Sequence, residues 1–375
     1  MRFFFRTFGC KTNQYETQAL RELAARHGHE VVADYRAADV VVVNTCTVTS
    51  RADRDVYKFV RRVHRAAGRC VRVVLTGCFA ERVLQAGIVA EFDLRLGTGI
   101  PVDFVGNDRK YDAVAPGVTP EDAERVTELF GHRRAYVKVQ DGCDCFCSYC
   151  IVPHVRRTLR SKQPSIVVRE ISGLERSGFQ DVVLIGTNLG KYAARESGQL
   201  YSLAGLCRYI VERTTVTILF SSLEPTDLQG DLLAFLSAYR GRIFPHFHIP
   251  LQSGDDEVLR AMRRPYTTAQ FARAVERLRT AVPGAIISTD LIVAYPEETP
   301  ERFERSLHFV QNMGFGWLHV FPYSPRPGTA AYAAHGMHVP KDFKERVRRA
   351  CALSVTLGEE RWKPLCRISD AEPAV

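Results

Sequence analysis

The 375-residue chain lacks any run long and apolar enough to cross a bilayer: its longest purely aliphatic stretch is Val40–Val43, against the ~20 residues that a spanning helix needs. The amino terminus, MRFFFRTFGC, has neither the longer apolar stretch nor the small-residue cleavage site of a secretory signal. These absences predict a soluble, cytoplasmic protein with no membrane partner. Gly (26) and Pro (18) are present at an average share, which excludes collagen-like and broadly disordered chains. There is no internal repeat and no low-complexity tract. A hydrophobic share of 46% and a charged share of 25% are ordinary for folded domains, and the length suggests two or three of them. Cores of that size need no disulfide staples.

Cysteine is what the chain has in excess. There are eleven, an odd number, at positions 10, 46, 70, 78, 143, 145, 147, 150, 207, 351 and 366. Structural disulfides are disfavoured in the cytosol. Four cysteines fall between positions 143 and 150, and thiolates crowded in this way suggest metal or cluster ligation.

The amino-terminal part alternates between strand and helix. Phe3–Phe5, Ala38–Val43 and Val71–Leu75 read as strands; Thr17–His27 and Ser50–Ala67 read as helices. Such alternation implies a parallel sheet. Asp103–Gly131, with scattered Pro, Gly and charge, reads as an interdomain linker. A second series then begins, with strands at Tyr136–Val139, Val182–Ile185, Val216–Phe220, Ile243–Ile249, Ile286–Val293 and Leu318–Phe321. The helices between them are expected at Ile166–Ser177, Leu203–Glu212, Leu228–Ala238, Glu257–Arg263 with Ala269–Ala281, and Pro300–Met313. Six such units make an incomplete relative of the (β/α) barrel, with ligands at the carboxyl ends of the strands. Lys341–Leu357 reads as a basic amphipathic helix, and residues from Arg361 onward as a frayed tail.

The cysteine loop reads Gly142-Cys143-Asp144-Cys145-Phe146-Cys147-Ser148-Tyr149-Cys150, directly after the strand YVKVQ. Cys143, Cys147 and Cys150 have the spacing C-x3-C-x2-C. Three thiolates on a four-iron cube leave one iron open to chelate a small ligand, whereas a four-Cys site is closed. A structural zinc site on Cys143, Cys145, Cys147 and Cys150 competes with this reading, although zinc knuckles usually come as two separated pairs. Uncoordinated surface thiols are the other alternative. Elsewhere, Cys10 follows FFFRTFG, Cys46 follows VVVVNT and Cys78 follows VVLTG. If those strands are parallel, all three thiols lie at one sheet edge, where open α/β folds gather ligands. The bland alternative is three buried, inert thiols.

The C-x3-C-x2-C spacing with an aromatic before its last Cys resembles the radical S-adenosylmethionine enzymes, and GCDCFCSYCIVPHVR resembles their methylthiotransferase branch. That branch commonly has Asn-Asn at Asp144-Cys145, so Cys145 is an extra thiol and is not assigned as a ligand. The words Gly9-Cys10-Lys11-Thr12-Asn13-Gln14-Tyr15-Glu16 and Asn44-Thr45-Cys46-Thr47-Val48-Thr49, with Ala52-Asp53 after, are most similar to threonylcarbamoyladenosine tRNA methylthiotransferases. The isopentenyladenosine branch (GCQMN, NTCSIR) and the ribosomal-protein branch (GCPKN) fit less well.

The resemblance implies an α/β fold: an N-terminal open parallel-sheet (flavodoxin-like) domain over residues 1–115, a partial (β/α)6 radical-SAM barrel over 130–340, and a C-terminal helix and tail over 341–375. It also implies two 4Fe-4S clusters and S-adenosylmethionine as cofactors. Cys143, Cys147 and Cys150 would hold the cluster that binds S-adenosylmethionine and yields a 5′-deoxyadenosyl radical. Cys10, Cys46 and Cys78 would hold an auxiliary cluster that presents sulfur. A second S-adenosylmethionine would supply the methyl group, and the target would be C2 of N6-threonylcarbamoyladenosine beside a tRNA anticodon. An electron-donor protein is required and is not identified by the sequence. Methylthiolation of a ribosomal protein, or a non-catalytic iron–sulfur RNA-binding role, are the alternatives.

Polar residues end successive strands at Ile185–Asn188, Ser221–Pro225, His248–Gly254 and His319–Thr329, and all resemble family segments around cofactor and substrate. Among them Asn188, Glu224 and Gln252 are expected to hold the cofactor. Taken alone, each is a polar loop rich in turn residues. His246 and His248 would share a strand face, so a metal pair is conceivable beside the ordinary polar reading. Three departures stand out. The fifth strand ends in Ala294-Tyr295-Pro296-Glu297-Glu298-Thr299 where the family word is like GFPGET. Arg157 and Leu159 stand where Gly and Glu are usual. The RNA-binding β domain that commonly follows in the family is expected to be absent, since the sequence stops at Val375.

Positive charge is concentrated. The chain carries 51 Lys and Arg against 42 Asp and Glu, net +9. Residues 51–72 hold eight Arg or Lys (51, 54, 58, 61, 62, 65, 69, 72) against Asp53 and Asp55, and residues 151–169 hold five (156, 157, 160, 162, 169) with no acid. Both adjoin cysteine loops, which suits a polyphosphate partner. A solvated charged face is the plainer reading.

Overall fold

The computed structural model describes residues 1–67, 71–98, 100, 102–127 and 134–359. Cys70, Cys366 and the expected tail from Arg361 lie outside the described residues. The chain divides into two compact units, Met1–Cys145 with Cys150–Thr187, and Phe146–Tyr149 with Asn188–Val375.

The first unit is built on strands β1 (Arg2–Thr7), β2 (Glu30–Val31), β3 (Val40–Thr45), β4 (Arg72–Gly77) and β5 (Asp103–Phe104), joined as one sheet in the order β2-β1-β3-β4-β5. Every pairing is parallel, with Phe5 opposite Val42 and Val43 opposite Leu75. The alternation implies the parallel sheet and the family resemblance the flavodoxin-like order seen here, whose switch point lies between β1 and β3. Val40–Val43 are buried on both faces, as a central parallel strand requires. Helices α1 (Lys11–Arg26), α2 (Ser50–Ala67), α3 (Cys78–Gln85) and α4 (Val89–Leu96) cover the sheet. Helix α2 turns Val56, Phe59, Val60 and Val63 into the core, where Phe59 meets Phe4, Phe8 and Tyr35.

Over its described residues, 103–127, the segment expected to be a linker is part of the first unit. Its first residues form β5 and its later ones a short helix, α5 (Pro120–Ala123), and Lys110, Tyr111 and Glu124 between and beside them are buried. Of its scattered charges, Lys110 and Glu124 are satisfied inside the protein, by Glu16 and Lys138, while Asp108, Arg109, Glu121, Asp122 and Arg125 are exposed. The unit continues through β6 (Ala135–Lys138), β7 (Gln140–Asp141), α6 (Val152–Val155), β8 (Arg160–Ser161), α7 (Pro164–Arg176) and β9 (Asp181–Ile185). Strands β6 and β9 pair in parallel, and β7 and β8 antiparallel.

The second unit opens with a hairpin absent from the sequence reading, β10 (Ala193–Glu196) and β11 (Gln199–Ser202). Then follow α8 (Leu203–Val211), β12 (Thr217–Phe220), α9 (Gly230–Ala238), β13 (His246–His248), α10 (Asp256–Ala261), α11 (Thr268–Ala281), β14 (Ile286–Val293), α12 (Pro300–Met313), β15 (Trp317–Pro322), α13 (Ala330–His335) and α14 (Phe343–Leu357). The expected strands and helices are all found, within a few residues. The largest shortfall is β13, which keeps three of the seven residues 243–249. Strands β13, β14 and β15 form a parallel sheet in sequence order. Helix α14 buries Ala350 and Leu357, and its Arg346 bonds the Glu298 carboxylate at 3.2 Å. Among the described residues, no helix is long and apolar enough to cross a membrane.

Candidate functional site

The first unit brings Cys10, Cys46 and Cys78 to the carboxyl edge of neighbouring strands β1, β3 and β4. Cys10 is the N-cap of α1, and Cys78 is the first residue of α3. Helix α1 thus begins at Lys11, six residues before the apolar periodicity at Thr17 would start it. Its first two turns are polar yet buried at Thr12, Asn13 and Glu16, because Asn13 bonds Asn44 and Glu16 bonds Arg156. Helix N-termini favour thiolates and anionic groups. The Val48 N–H donates to the Cys46 sulfur at 3.4 Å. Burial pushes Cys46 up to about 12, and the nearby Cys78 and Cys10 add to the rise. Burial also raises Cys78, against the pull of Arg156.

Two glycines permit this crowding. A Cβ on Gly9 (φ +144°) would lie 2.5 Å from Asn13 Oδ1 and 3.0 Å from the Cys46 Cβ, and one on Gly77 (φ +87°) would lie 2.5 Å from the Thr45 carbonyl oxygen. Asn13 Nδ2 donates to Asn44 Oδ1 at 2.8 Å, tying the Cys10 loop to the Cys46 loop. Arg82 donates to Thr47 Oγ1 at 2.9 Å and to Asp53 at 2.8 Å, tying the Cys46 loop to α3.

Beneath the thiols is a buried ionic network that the sequence reading missed. Arg156 bonds both Glu16 oxygens, at 2.8 and 2.9 Å, and Asp141 Oδ1 at 2.8 Å, while its Nε donates to Cys78 Sγ at 3.2 Å. Lys110 and Lys138 also reach Glu16, and Lys138 reaches Glu124 and Asp141. Burial alone would raise the Glu16 carboxyl; Arg156, Lys110 and Lys138 overturn that and hold it well below the carboxylate range. The same contest holds Asp141 well below its ordinary value. Lys162 meets Glu170 at 2.9 Å and the Tyr15 hydroxyl at 2.7 Å. Two of the five cations expected to face phosphate in 151–169, Arg156 and Lys162, therefore point inward. The available signal was a lysine inside the strand YVKVQ, since a charge in a buried strand demands a partner.

In the C-x3-C-x2-C loop, Cys147 is buried, Cys143 and Cys150 are half-buried and Cys145 is exposed. Gly142 (φ +85°) lets the chain pass over Thr158, whose carbonyl oxygen would be 2.2 Å from a Cβ there, and the Cys143 N–H donates to the Arg156 carbonyl at 3.2 Å. Within the second unit, Arg264 donates to the Cys147 sulfur at 3.3 Å and pairs with the Glu224 carboxylate. Ser148 donates to the Ala261 carbonyl and meets the Tyr295 hydroxyl, both at 2.8 Å. Among the described residues no cysteine is in a disulfide. The donor chemistry of the two three-thiol sets fits iron–sulfur ligation.

The expected cofactor-holding residues fall in the second unit, Asn188 as its first residue after Tyr149, and Glu224 and Gln252 after β12 and β13. Asn188 caps a short 3-10 turn at Leu189–Lys191. Glu224 caps another and shares a reciprocal capping box with Asp227, so part of its polarity is structural. Gln252 has φ +70°, and its backbone pairs with Asp290 and Ile292. His246 and His248 take separate partners: His246 Nε2 meets Ser288 at 3.0 Å, while His248 bridges Ser222 at 2.7 Å and Asp290 at 2.8 Å. His248, Asp290 and His319, on three adjacent strands, bring ligand-type atoms within 4.8 Å of one another. Ala294 takes φ +64° where the family word carries Gly.

Residues 2–94 match a family model described as uncharacterized protein family UPF0004, and residues 137–310 match the radical SAM superfamily. Among solved structures, the radical S-adenosylmethionine methyltransferase TsrM from Kitasatospora setae, with cobalamin and a 4Fe-4S cluster bound, aligns with TM-score 0.61 at 14% identity over 89% of this chain and 74% of that one. Fold and matched modules define a radical SAM enzyme. The chain is 36% identical over 369 residues to the threonylcarbamoyladenosine tRNA methylthiotransferase MtaB of Bacillus subtilis, covering 95% of this chain and 81% of the relative. It is 35% identical over 362 residues to the tRNA-2-methylthio-N(6)-dimethylallyladenosine synthase of Syntrophobacter fumaroxidans, covering 92% and 78%. The chain belongs to the radical S-adenosylmethionine methylthiotransferases, a family of transferases whose cofactors are S-adenosylmethionine and 4Fe-4S clusters.

Proposed function

We propose that this enzyme methylthiolates C2 of N6-threonylcarbamoyladenosine beside the anticodon of a cytoplasmic tRNA, and that it does so with two clusters. Cys143, Cys147 and Cys150 would hold one, with Asn188, Glu224 and Gln252 positioning S-adenosylmethionine near it. Cys10, Cys46 and Cys78 would hold the other. The module boundaries of this reading are 1–115, 130–340 and 341–375. When bound, the clusters supply the electron for S-adenosylmethionine cleavage and the sulfur for transfer.

The observation that carries the two-cluster reading is the placement of Cys10, Cys46 and Cys78 at the carboxyl ends of the neighbouring parallel strands β1, β3 and β4. The chain's own contribution there is to hold three sulfurs in fixed register. The Asn13–Asn44 and Thr47–Asp53–Arg82 contacts do this, and so those residues are not free to read substrate. The choice of threonylcarbamoyl adenosine is supported by the same words around Cys10 and Cys46, and by exposed arginines beside them. Arg51 lies 4.0 Å from Asp55, and Arg54 makes no ion pair among the described residues, so either can meet a carboxylate on the base. A pocket built for such a group rejects the analogue lacking it by a factor of ~10⁴ or more.

The test offers the purified, reconstituted enzyme two tRNA preparations, with and without the threonylcarbamoyl group, followed by nucleoside mass analysis. Methylthiolation of the modified preparation alone supports the proposal. Equal turnover of both, or turnover of isopentenylated tRNA only, overturns the substrate assignment.

A further inference from the structure

Arg156 occupies a position that neither cysteine motif explains. It follows α6 in a non-helical conformation (φ −133°, ψ 67°) and is buried. Its guanidinium has no freedom left. Glu16 takes both terminal nitrogens at 2.8 and 2.9 Å, Asp141 shares one of them at 2.8 Å, and Nε is thereby aimed at Cys78 Sγ, 3.2 Å away. Asp141 is itself fixed by the Gly142 N–H at 2.9 Å and the Thr187 hydroxyl at 3.1 Å. The backbone of Arg156 faces the other way in the chain's economy: its carbonyl accepts from the Cys143 N–H at 3.2 Å. One residue thus touches a thiol of the first cysteine set with its side chain and the loop of the second with its main chain.

We propose that Arg156 is a positioning residue that joins the two cysteine sites and sets the reduction potential of the group held by Cys10, Cys46 and Cys78. This rests on the two-cluster reading above. An N–H donated to a ligating sulfur stabilises the more negative, reduced state of an iron–sulfur group and raises its potential. The effect is strongest where water is excluded, and an arginine supplies it at every working pH because its charge does not titrate. The carboxylates of Glu16 and Asp141 balance the charge, so what the site gains is mainly a directed donor. A lysine could carry the charge but could not bond two carboxylates and a sulfur from one rigid plane.

The experiment is a potentiometric titration, read by electron paramagnetic resonance, of the full-length reconstituted protein and its Arg156→Gln and Arg156→Lys variants. Signals are assigned by comparison with Cys147→Ala and Cys78→Ala. In Arg156→Gln the auxiliary midpoint should fall, reducing the reduced-to-oxidised ratio at fixed potential roughly tenfold, about 59 mV for a one-electron couple. The lysine variant should fall between glutamine and wild type. An unshifted auxiliary midpoint in a variant that retains its iron overturns the role of Arg156. If the glutamine variant fails to retain iron, the lysine variant decides: a lowered midpoint supports the role and an unchanged one overturns it. Wild-type iron content in Cys78→Ala would instead overturn the two-cluster reading, and this inference with it.

Discussion

The two cysteine sets are assembled by opposite routes. Cys143, Cys147 and Cys150 are neighbours in sequence, carried on one loop that opens with Gly142 at φ +85°. Cys10, Cys46 and Cys78 are far apart in sequence, and only the parallel order of β1, β3 and β4 unites them. Yet each set has one buried sulfur that accepts from one buried arginine, Cys147 from Arg264 and Cys78 from Arg156. The arginines differ in their anchorage. Arg156 is clamped by two buried carboxylates, whereas Arg264 relies on Glu224, whose side chain keeps a quarter of its exposure. A site assembled from distant segments needs a rigid internal scaffold. A site assembled on one loop can lend its carboxylate to a strand end where cofactor is expected.

The comparison breaks most sharply by function. Cys150→Ala should abolish formation of 5′-deoxyadenosine from S-adenosylmethionine under reducing conditions, whereas Cys46→Ala should keep it and lose only the methylthiolated nucleoside. Loss of both products in both variants would make the sets a single functional site.

Next in size is the scaffold. Glu16→Gln removes a buried anion facing Arg156, Lys110 and Lys138, and should destabilise the protein by about 3–5 kcal/mol in denaturant unfolding. The sign with pH follows from the depressed Glu16 carboxyl. Its stabilisation is complete above the unfolded value of about 4.3 and is lost as pH falls through the lower folded value, so the variant should show a shallower acid limb than wild type. A change within 0.5 kcal/mol, the ordinary range for an exposed site, would remove the contrast with the loop set.

A smaller effect concerns the polyphosphate surface. Helix α2 presents Arg51, Arg54, Lys58, Arg62 and Arg65 as one exposed stripe at helical spacing. Arg61, equally basic in sequence, is instead bound to the Leu96 carbonyl at 3.0 Å. Changing Arg54, Arg62 and Arg65 together to Ala should flatten the log–log salt dependence of tRNA binding by about 2–3, one contact contributing roughly 0.7–0.9. Arg61→Ala should leave the slope unchanged. The smallest effect is Ala294→Gly, which relieves a left-handed alanine beside Tyr295 and should raise stability by about 1 kcal/mol.

Much of this was legible in the sequence, and the exceptions share a cause. Hydrophobic runs located β3 and β14 and the helices that cover them, because burial alone decides those residues. The turn glycines before Cys10, Cys78 and Cys143 were legible as part of the motifs. Polar residues that fold inward were not. The start of α1 falls outside the apolar periodicity that begins at Thr17, and the 103–127 segment reads as part of a linker for its scattered Pro, Gly and charge; only tertiary structure shows that Glu16 meets Lys110 and that Glu124 meets Lys138. Arg156 and Lys162 were misplaced for the same reason: a basic run looks alike whether it faces phosphate or carboxylate. Glu224 was singled out as a cofactor contact, and its pairing with Arg264 could not be foreseen from a strand-end position.

The central claim is that two separate sets of three cysteines each hold a four-iron cluster. Iron content of the anaerobically reconstituted chain measures it most directly. Wild type should hold about eight irons, Cys78→Ala and Cys147→Ala should each hold about half as many, and Cys145→Ala should match wild type. A single tightly bound zinc with no iron, or a loss in Cys145→Ala equal to that in Cys147→Ala, would contradict the account.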